Sequence, residues 1–241
     1  GAAAGQVPVI AGVVDTGTAR VIDHARRAEA LGADAVVATA PFYVRPHPDE
    51  ITNHFRLLHD AVGVPVIAYD IPGAVHTKLP EAVVAELAGS RVITALKDSS
   101  GDLAAFRRVL RLTAGTGLRV FTGSELFCDV ALDLGAHGVV PGLGNVDPHG
   151  YVRLTAAALA GKRESALAEQ ERLAALFEIV AVADPSRVGP TAAALGAFKA
   201  ALHLRGVIDH PATAAPSAPL DATEVGRVRE LLVKAGLEVV R

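Results

Sequence analysis

Two residues of this sequence stand where an amine and a phenol could work on one carbonyl. Lys97 ends the apolar run Val92-Ile93-Thr94-Ala95-Leu96, and Tyr69 ends the similar run Val64-Pro65-Val66-Ile67-Ala68. A lysine at the C-terminal end of a buried strand is partly desolvated, which disfavours its ammonium form. The neutral amine is the form that condenses with a carbonyl to a Schiff base. A phenol on the neighbouring strand could carry protons at that imine. Each residue also has an ordinary reading: Lys97 could snorkel to solvent or pair with Asp98, and Tyr69 could be a buried tyrosine with a satisfied hydroxyl.

Other candidates are weaker. Tyr43, in Pro41-Phe42-Tyr43-Val44-Arg45-Pro46, ends a third strand-like run and reads either as an interface or lid aromatic or as local packing. Thr122-Gly123-Ser124-Glu125 precedes a helical stretch, where backbone amides could hold a carboxylate or phosphate; a capping box explains it equally well. Gly142-Leu143-Gly144-Asn145 is not a G-x-G-x-x-G fingerprint, and no dinucleotide site is read from it. His54 and His59 are five residues apart, on different helix faces, and His24, His137, His203 and His210 are scattered. No G-x-S-x-G elbow occurs. Amine catalysis is the best-supported chemistry.

These residues need elements to position them. Val7-Pro8-Val9-Ile10-Ala11 recurs as Val64-Pro65-Val66-Ile67-Ala68, and Leu31-Gly32-Ala33-Asp34-Ala35-Val36-Val37 recurs as Leu134-Gly135-Ala136-His137-Gly138-Val139-Val140. The runs lack polar alternation, as in strands buried on both faces of a parallel sheet. Strands are predicted to start near residues 7, 35, 64, 92, 119 and 138, about 19–29 residues apart, the length of one βα unit. Amphipathic stretches over 18–31, 49–62, 80–88, 102–113 and 125–134 supply the intervening helices. After about residue 150 only helical patterns follow: 151–160, 164–182, 190–204 and 221–235. The pattern predicts an α/β fold, residues 1–161, with a C-terminal helical module, residues 162–241. Six units suit an open doubly wound sheet; a closed (β/α)8 barrel needs eight.

Composition bounds the rest. The 241 residues carry a net charge of −3 and are 51% hydrophobic but only 4% aromatic, so Ala, Val and Leu must fill the core. The charge balance excludes a strongly basic nucleic-acid binder. Cys128, the single cysteine, excludes a disulfide framework and a cysteine-based zinc site. No apolar run reaches about 18 residues, so neither a membrane helix nor membrane association is expected. The start lacks the charged region of a secretory leader, and a soluble cytoplasmic protein is expected.

Taken jointly, the motifs resemble the dihydrodipicolinate synthase/N-acetylneuraminate lyase family of class I, pyruvate-handling aldolases. Tyr69-Asp70-Ile71-Pro72-Gly73 is similar to the family's Y-N-x-P-G/S, and Leu96-Lys97-Asp98-Ser99-Ser100-Gly101-Asp102 to its x-K-(E/D)-x-x-G-(D/N). Ala40-Pro41-Phe42-Tyr43 resembles its T-P-Y-Y loop. Phe121-Thr122-Gly123-Ser124 and Gly138-Val139-Val140 resemble its last two strands. The resemblance runs from about Val7 to the C-terminus.

It implies a (β/α)8 TIM barrel, of which this sequence holds the last six units (strands 3–8), with a C-terminal helical module, usually tetrameric as a dimer of dimers. Lys97 is implied to condense with pyruvate or another 2-oxo acid. Tyr69 would shuttle protons at the Schiff base and the substrate's C4 hydroxyl, and Tyr43 would be lent to a neighbouring subunit's relay. Gly123 and Val140 would line the pyruvate pocket. No metal or cofactor is needed, because the protonated imine is the electron sink.

Two departures stand out. The family's first two units, whose second strand carries G-T-T-G-E, have no counterpart; residues 1–6 read as the end of the second helix. Truncation by roughly 60 residues, two βα units, is expected rather than a degenerate member; the absence of methionine alone decides little, since Gly1-Ala2 would allow removal of an initiator methionine. Ala74 stands where dihydrodipicolinate synthases carry an arginine, followed by Val75 and His76. Alanine cannot clamp a carboxylate, which favours a 2-oxo-4-hydroxy acid of the sugar-acid type over aspartate semialdehyde, with His76 a candidate hydroxyl contact. The run Lys97-Asp98-Ser99 with Gly101-Asp102 is also similar to the branch that cleaves 4-hydroxy-2-oxoglutarate. The alternatives are a dihydrodipicolinate synthase with an altered clamp and an inactive binder of 2-oxo acids.

Overall fold

The computed structural model describes Ala3 and residues 5–241. The expected helix end over residues 1–6 falls partly on Gly1, Ala2 and Ala4, which lie outside the described residues. Of the others, Gln6 N–H donates to the Ala3 carbonyl at 2.8 Å in a turn.

Two compact units emerge. The first comprises Gly1–Ser124 and Leu134–Val139; the second comprises Glu125–Asp133 and Val140–Arg241. The first unit carries six parallel strands: β1 (Ile10–Gly12), β2 (Ala35–Ala38), β3 (Val66–Asp70), β4 (Ala95–Asp98), β5 (Arg119–Thr122) and β6 (Gly138–Val139). They lie side by side in chain order, β1-β2-β3-β4-β5-β6. That order excludes a doubly wound sheet, in which the order reverses at a switch point. It is the order of a TIM-barrel-like half-barrel, with β1 and β6 left as edges among the described residues.

Helices α1 (Thr18–Ala30), α2 (Pro48–Ala61), α4 (Glu81–Gly89) and α5 (Leu103–Leu112) pack side by side in sequence order. A short α3 (Pro72–Val75) precedes α4. Sequence signals explain the helix starts. Pro48 occupies the first turn of α2, with His47 and Glu50 forming a reciprocal capping box. Asp102 caps α5 by accepting from the Ala105 amide.

The sheet is not buried equally on its two faces. Val36, Val66, Ala68, Leu96 and Val120 are almost fully covered, whereas Val37, Ile67, Tyr69, Lys97 and Phe121, pointing the other way, are half-buried. The expectation of strands buried on both faces therefore holds for one face only, because no strand spans from β6 back to β1 among the described residues. Strand β4 also starts later than its apolar run suggests. Arg91 adopts a left-handed conformation (φ 59°), and the amides of Val92 and Ile93 turn back to the Leu87 carbonyl at the end of α4. They are spent on capping that helix and cannot join the ladder.

The second unit is helical: α6 (Cys128–Asp133), α7 (Pro148–Leu159), α8 (Arg163–Phe177), α9 (Pro190–Leu204) and α10 (Ala222–Lys234). Arg172 ties three of its segments together, pairing with Asp147 and Glu169 and donating to the Ala235 carbonyl at 3.0 Å. None of the helices, over the described residues, is long and apolar enough to cross a membrane.

Candidate active site

Parallel pairing brings the two leading candidates together. Tyr69 on β3 is the register partner of Lys97 on β4, which in turn partners Phe121 on β5. All three are half-buried and face the less covered side of the sheet. Lys97 Nζ lies 4.4 Å from the centre of the Tyr69 ring. An aromatic face at that distance attracts a cation, so the ring is a platform for a positively charged nitrogen at the strand end.

Gly123 completes the Lys97 environment, just beyond β5. Its amide donates to the Asp98 carbonyl at 2.7 Å, extending the ladder. A Cβ placed there would stand 2.8 Å from Lys97 Cε and 2.0 Å from Ser99 Oγ, so only glycine lets the lysine stem and the serine hydroxyl pass this close to the backbone. Ser99 Oγ and the end of the Lys97 stem thus both border Gly123, a placement the sequence indicated only through the motif that contains both residues.

The next residues along the same strands face the helices. Asp70 pairs in register with Asp98, and Asp98 with Thr122. Asp70 is 2% exposed. Its Oδ2 accepts from Lys78 Nζ at 2.6 Å and its Oδ1 from the Leu79 amide at 3.0 Å. Burial pushes the Asp70 carboxyl above the usual carboxylate range, Lys78 and the Leu79 amide pull it down, and Asp98 adds a smaller upward push. Asp98 Oδ1 accepts from the Ser100 amide at 2.7 Å. The sequence offered Asp70 only within the motif that begins at Tyr69, and nothing there marked Lys78 as its partner.

The remaining candidates, Tyr43, Ala74, His76 and Val140, are exposed. Tyr43 is 94% exposed and held at a positive φ of 80°, so its side chain projects into solvent rather than onto the Tyr69–Lys97 pair. A left-handed tyrosine is strained. Ala74 sits in α3 and His76 caps it in the left-handed region (φ 55°), both exposed. Val140 belongs to the second unit and is 46% exposed. The 122–125 segment forms no capping box: α6 starts only at Cys128, and Glu125 Oε1 accepts from the Gly142 amide at 2.7 Å and the Leu143 amide at 3.4 Å. That carboxylate occupies amides of the Gly142-Leu143-Gly144-Asn145 segment.

Comparison with known proteins follows the same lines. The dihydrodipicolinate synthetase family profile matches residues 1–235. A 4-hydroxy-tetrahydrodipicolinate synthase of Sphingopyxis alaskensis is 39% identical over 173 residues, 71% of this chain and 59% of the relative. One from Roseobacter denitrificans is 36% identical over 190 residues, 78% of this chain and 64% of the relative. The matched stretch therefore covers less than two thirds of the length of each. Among solved structures, a dihydrodipicolinate synthase of Acinetobacter baumannii complexed with pyruvate superposes with a TM-score of 0.86 at 27% identity, over 98% of this chain and 77% of the other. One from Cyanidioschyzon merolae with lysine bound gives 0.86 at 29% identity, over 98% and 77%.

Proposed function

From the premise that this chain belongs to the dihydrodipicolinate synthetase family, we propose that it is a Schiff-base-forming class I aldolase or lyase. Its reaction is the reversible cleavage of a 2-oxo-4-hydroxy acid, of the 2-keto-3-deoxy sugar-acid type, to pyruvate and an aldehyde. The observation that carries this reading is the register pairing of Tyr69 with Lys97, with the amine 4.4 Å from the ring centre.

The chemistry balances on this chain's own groups. Lys97 Nζ adds to the C2 carbonyl, water leaves, and a protonated imine forms. The C3–C4 bond breaks as the C4 hydroxyl loses its proton to the Tyr69 relay, and the bonding pair moves into an enamine with the iminium nitrogen as sink. The aldehyde departs, the relay returns the proton to C3, and water hydrolyses the imine to release pyruvate. Tyr43, strained and exposed in one chain, serves the relay of a neighbouring subunit. Gly123 lines the pyruvate end, while Ala74 and His76 face the aldehyde end. The working form is a cytoplasmic homotetramer, a dimer of dimers.

The substrate class rests on Ala74, which offers no guanidinium to a second carboxylate. The names of the relatives favour the second reading, condensation of pyruvate with aspartate semialdehyde by a 4-hydroxy-tetrahydrodipicolinate synthase. A two-way assay separates the two: pyruvate release from a panel of 2-keto-3-deoxy acids, against consumption of pyruvate and aspartate semialdehyde. Pyruvate release without condensation supports the lyase. Condensation without release overturns it, and inactivity in both with retained pyruvate binding makes the chain a 2-oxo-acid-binding member.

A further inference from the structure

The Asp70–Lys78 pair closes a ring of backbone that the proposed chemistry does not itself use. Asp70 is the residue after Tyr69, and alternation along β3 turns its side chain to the opposite face. There its two carboxylate oxygens take the Leu79 amide at 3.0 Å and Lys78 Nζ at 2.6 Å. Residues 71–79 therefore leave Asp70 and return to its carboxylate, with Val75 buried and His76, in the left-handed region, donating its amide to the Pro72 carbonyl at 2.9 Å. The Asp70 main-chain carbonyl accepts from the Ser99 amide at 2.8 Å, so the same residue also fixes the segment that follows Lys97. A buried carboxylate deprived of its cation carries a heavy desolvation cost and loosens or takes up a proton. Asp98 lies next to Asp70 in register, and Lys78 also acts on Glu81 and Asp102. Lys78 is thus the ammonium set among these carboxylates, with Arg108 serving Glu81.

We infer that Lys78 is a positioning residue: through Asp70 it latches the 71–79 segment, and so sets the aldehyde end of the substrate site, where Ala74 and His76 are exposed, without touching the amine that binds pyruvate. This rests on the functional reading above for its effect on substrate, but not for its effect on the segment.

The test compares wild type with Lys78→Met and Lys78→Arg, the second keeping a cation within reach of Asp70. Hydrogen exchange of peptides covering residues 71–79 should be about tenfold faster in K78M and near wild type in K78R, with peptides from β1 unchanged. Borohydride trapping of pyruvate on Lys97 should be equal in all three proteins. KM for the cleaved 2-oxo-4-hydroxy acid should rise about five- to tenfold in K78M with kcat within about twofold, and return in K78R. Unchanged exchange in K78M overturns the latch whatever reaction the protein performs. Faster exchange with trapping in wild type but an unchanged KM overturns its role in the substrate site. Absence of trapping in wild type counts against the Schiff-base reading instead and leaves the exchange result to decide the latch.

Discussion

The row Tyr69–Lys97–Phe121 and the row Asp70–Asp98–Thr122 lie one residue apart on the same three strands. The first is half-buried on the less covered face of the sheet, whereas Asp70, Asp98 and Thr122 are 2%, 4% and 0% exposed beneath the helices. The difference follows from the two-residue alternation of a strand. On the proposed function, the groups that meet a substrate take the odd positions, where space remains. Groups that hold strand ends and loops take the even ones, where every polar atom needs a partner. Asp70 and Asp98 answer that need with Lys78 and with the amides of Leu79 and Ser100.

This division can be broken from either side. Replacing Lys97 by alanine should drop pyruvate formation to background while leaving the melting temperature near wild type, since a half-exposed stem is lost; a large loss of stability instead would move Lys97 into the structural row. Tyr69→Phe keeps the ring under the amine and removes the proton carrier. Its turnover should fall about 10²–10³-fold with pyruvate trapping on Lys97 retained, as measured by steady-state kinetics beside mass spectrometry.

The covered side should answer to acid rather than to substrate. His54 on α2 is 2% exposed, its Nδ1 2.9 Å from Thr18 Oγ1, and burial lowers its pKa from 6.5 to about 4. In the unfolded chain it protonates below about 6.5. Its contribution is therefore complete above that pH and is lost as pH falls toward 4, about 3 kcal/mol at most. Urea denaturation of wild type and His54→Phe between pH 7 and 4 should show a smaller acid loss in the variant. The smallest effect is expected for Gly123→Ala, whose Cβ must push aside Ser99 Oγ and Lys97 Cε. It should cost about 1–3 kcal/mol and lower turnover, read from thermal unfolding and kinetics together.

Much of the half-buried row was legible in the sequence, because it depends on strand ends. Val64–Ala68 and Val92–Leu96 are apolar runs one βα unit apart, and consecutive units usually pair, so Tyr69 and Lys97 were expected as neighbours. The helix at Pro190–Leu204 matches its expected bounds because a proline starts it and its apolar pattern is continuous. The buried row was not legible. Nothing in the spacing of Asp70 and Lys78 distinguishes a latch from a solvated turn, since the contact depends on α3 and the left-handed His76. Glu125 was misplaced for a similar reason: its local signal suits a cap, but its oxygen goes to amides at Gly142 and Leu143. Local patterns determine where a strand ends; which distant amides a carboxylate finds is a matter of tertiary packing.

On the proposed function, Lys97 is the amine that binds a 2-oxo acid. Incubating the protein with pyruvate and sodium borohydride, then mapping the modified peptide by mass spectrometry, tests it directly. A stable pyruvate-derived adduct is expected on the peptide containing Lys97, absent without borohydride and in Lys97→Ala. An adduct on another lysine, or none in an intact protein that still forms pyruvate from its substrate, would contradict it.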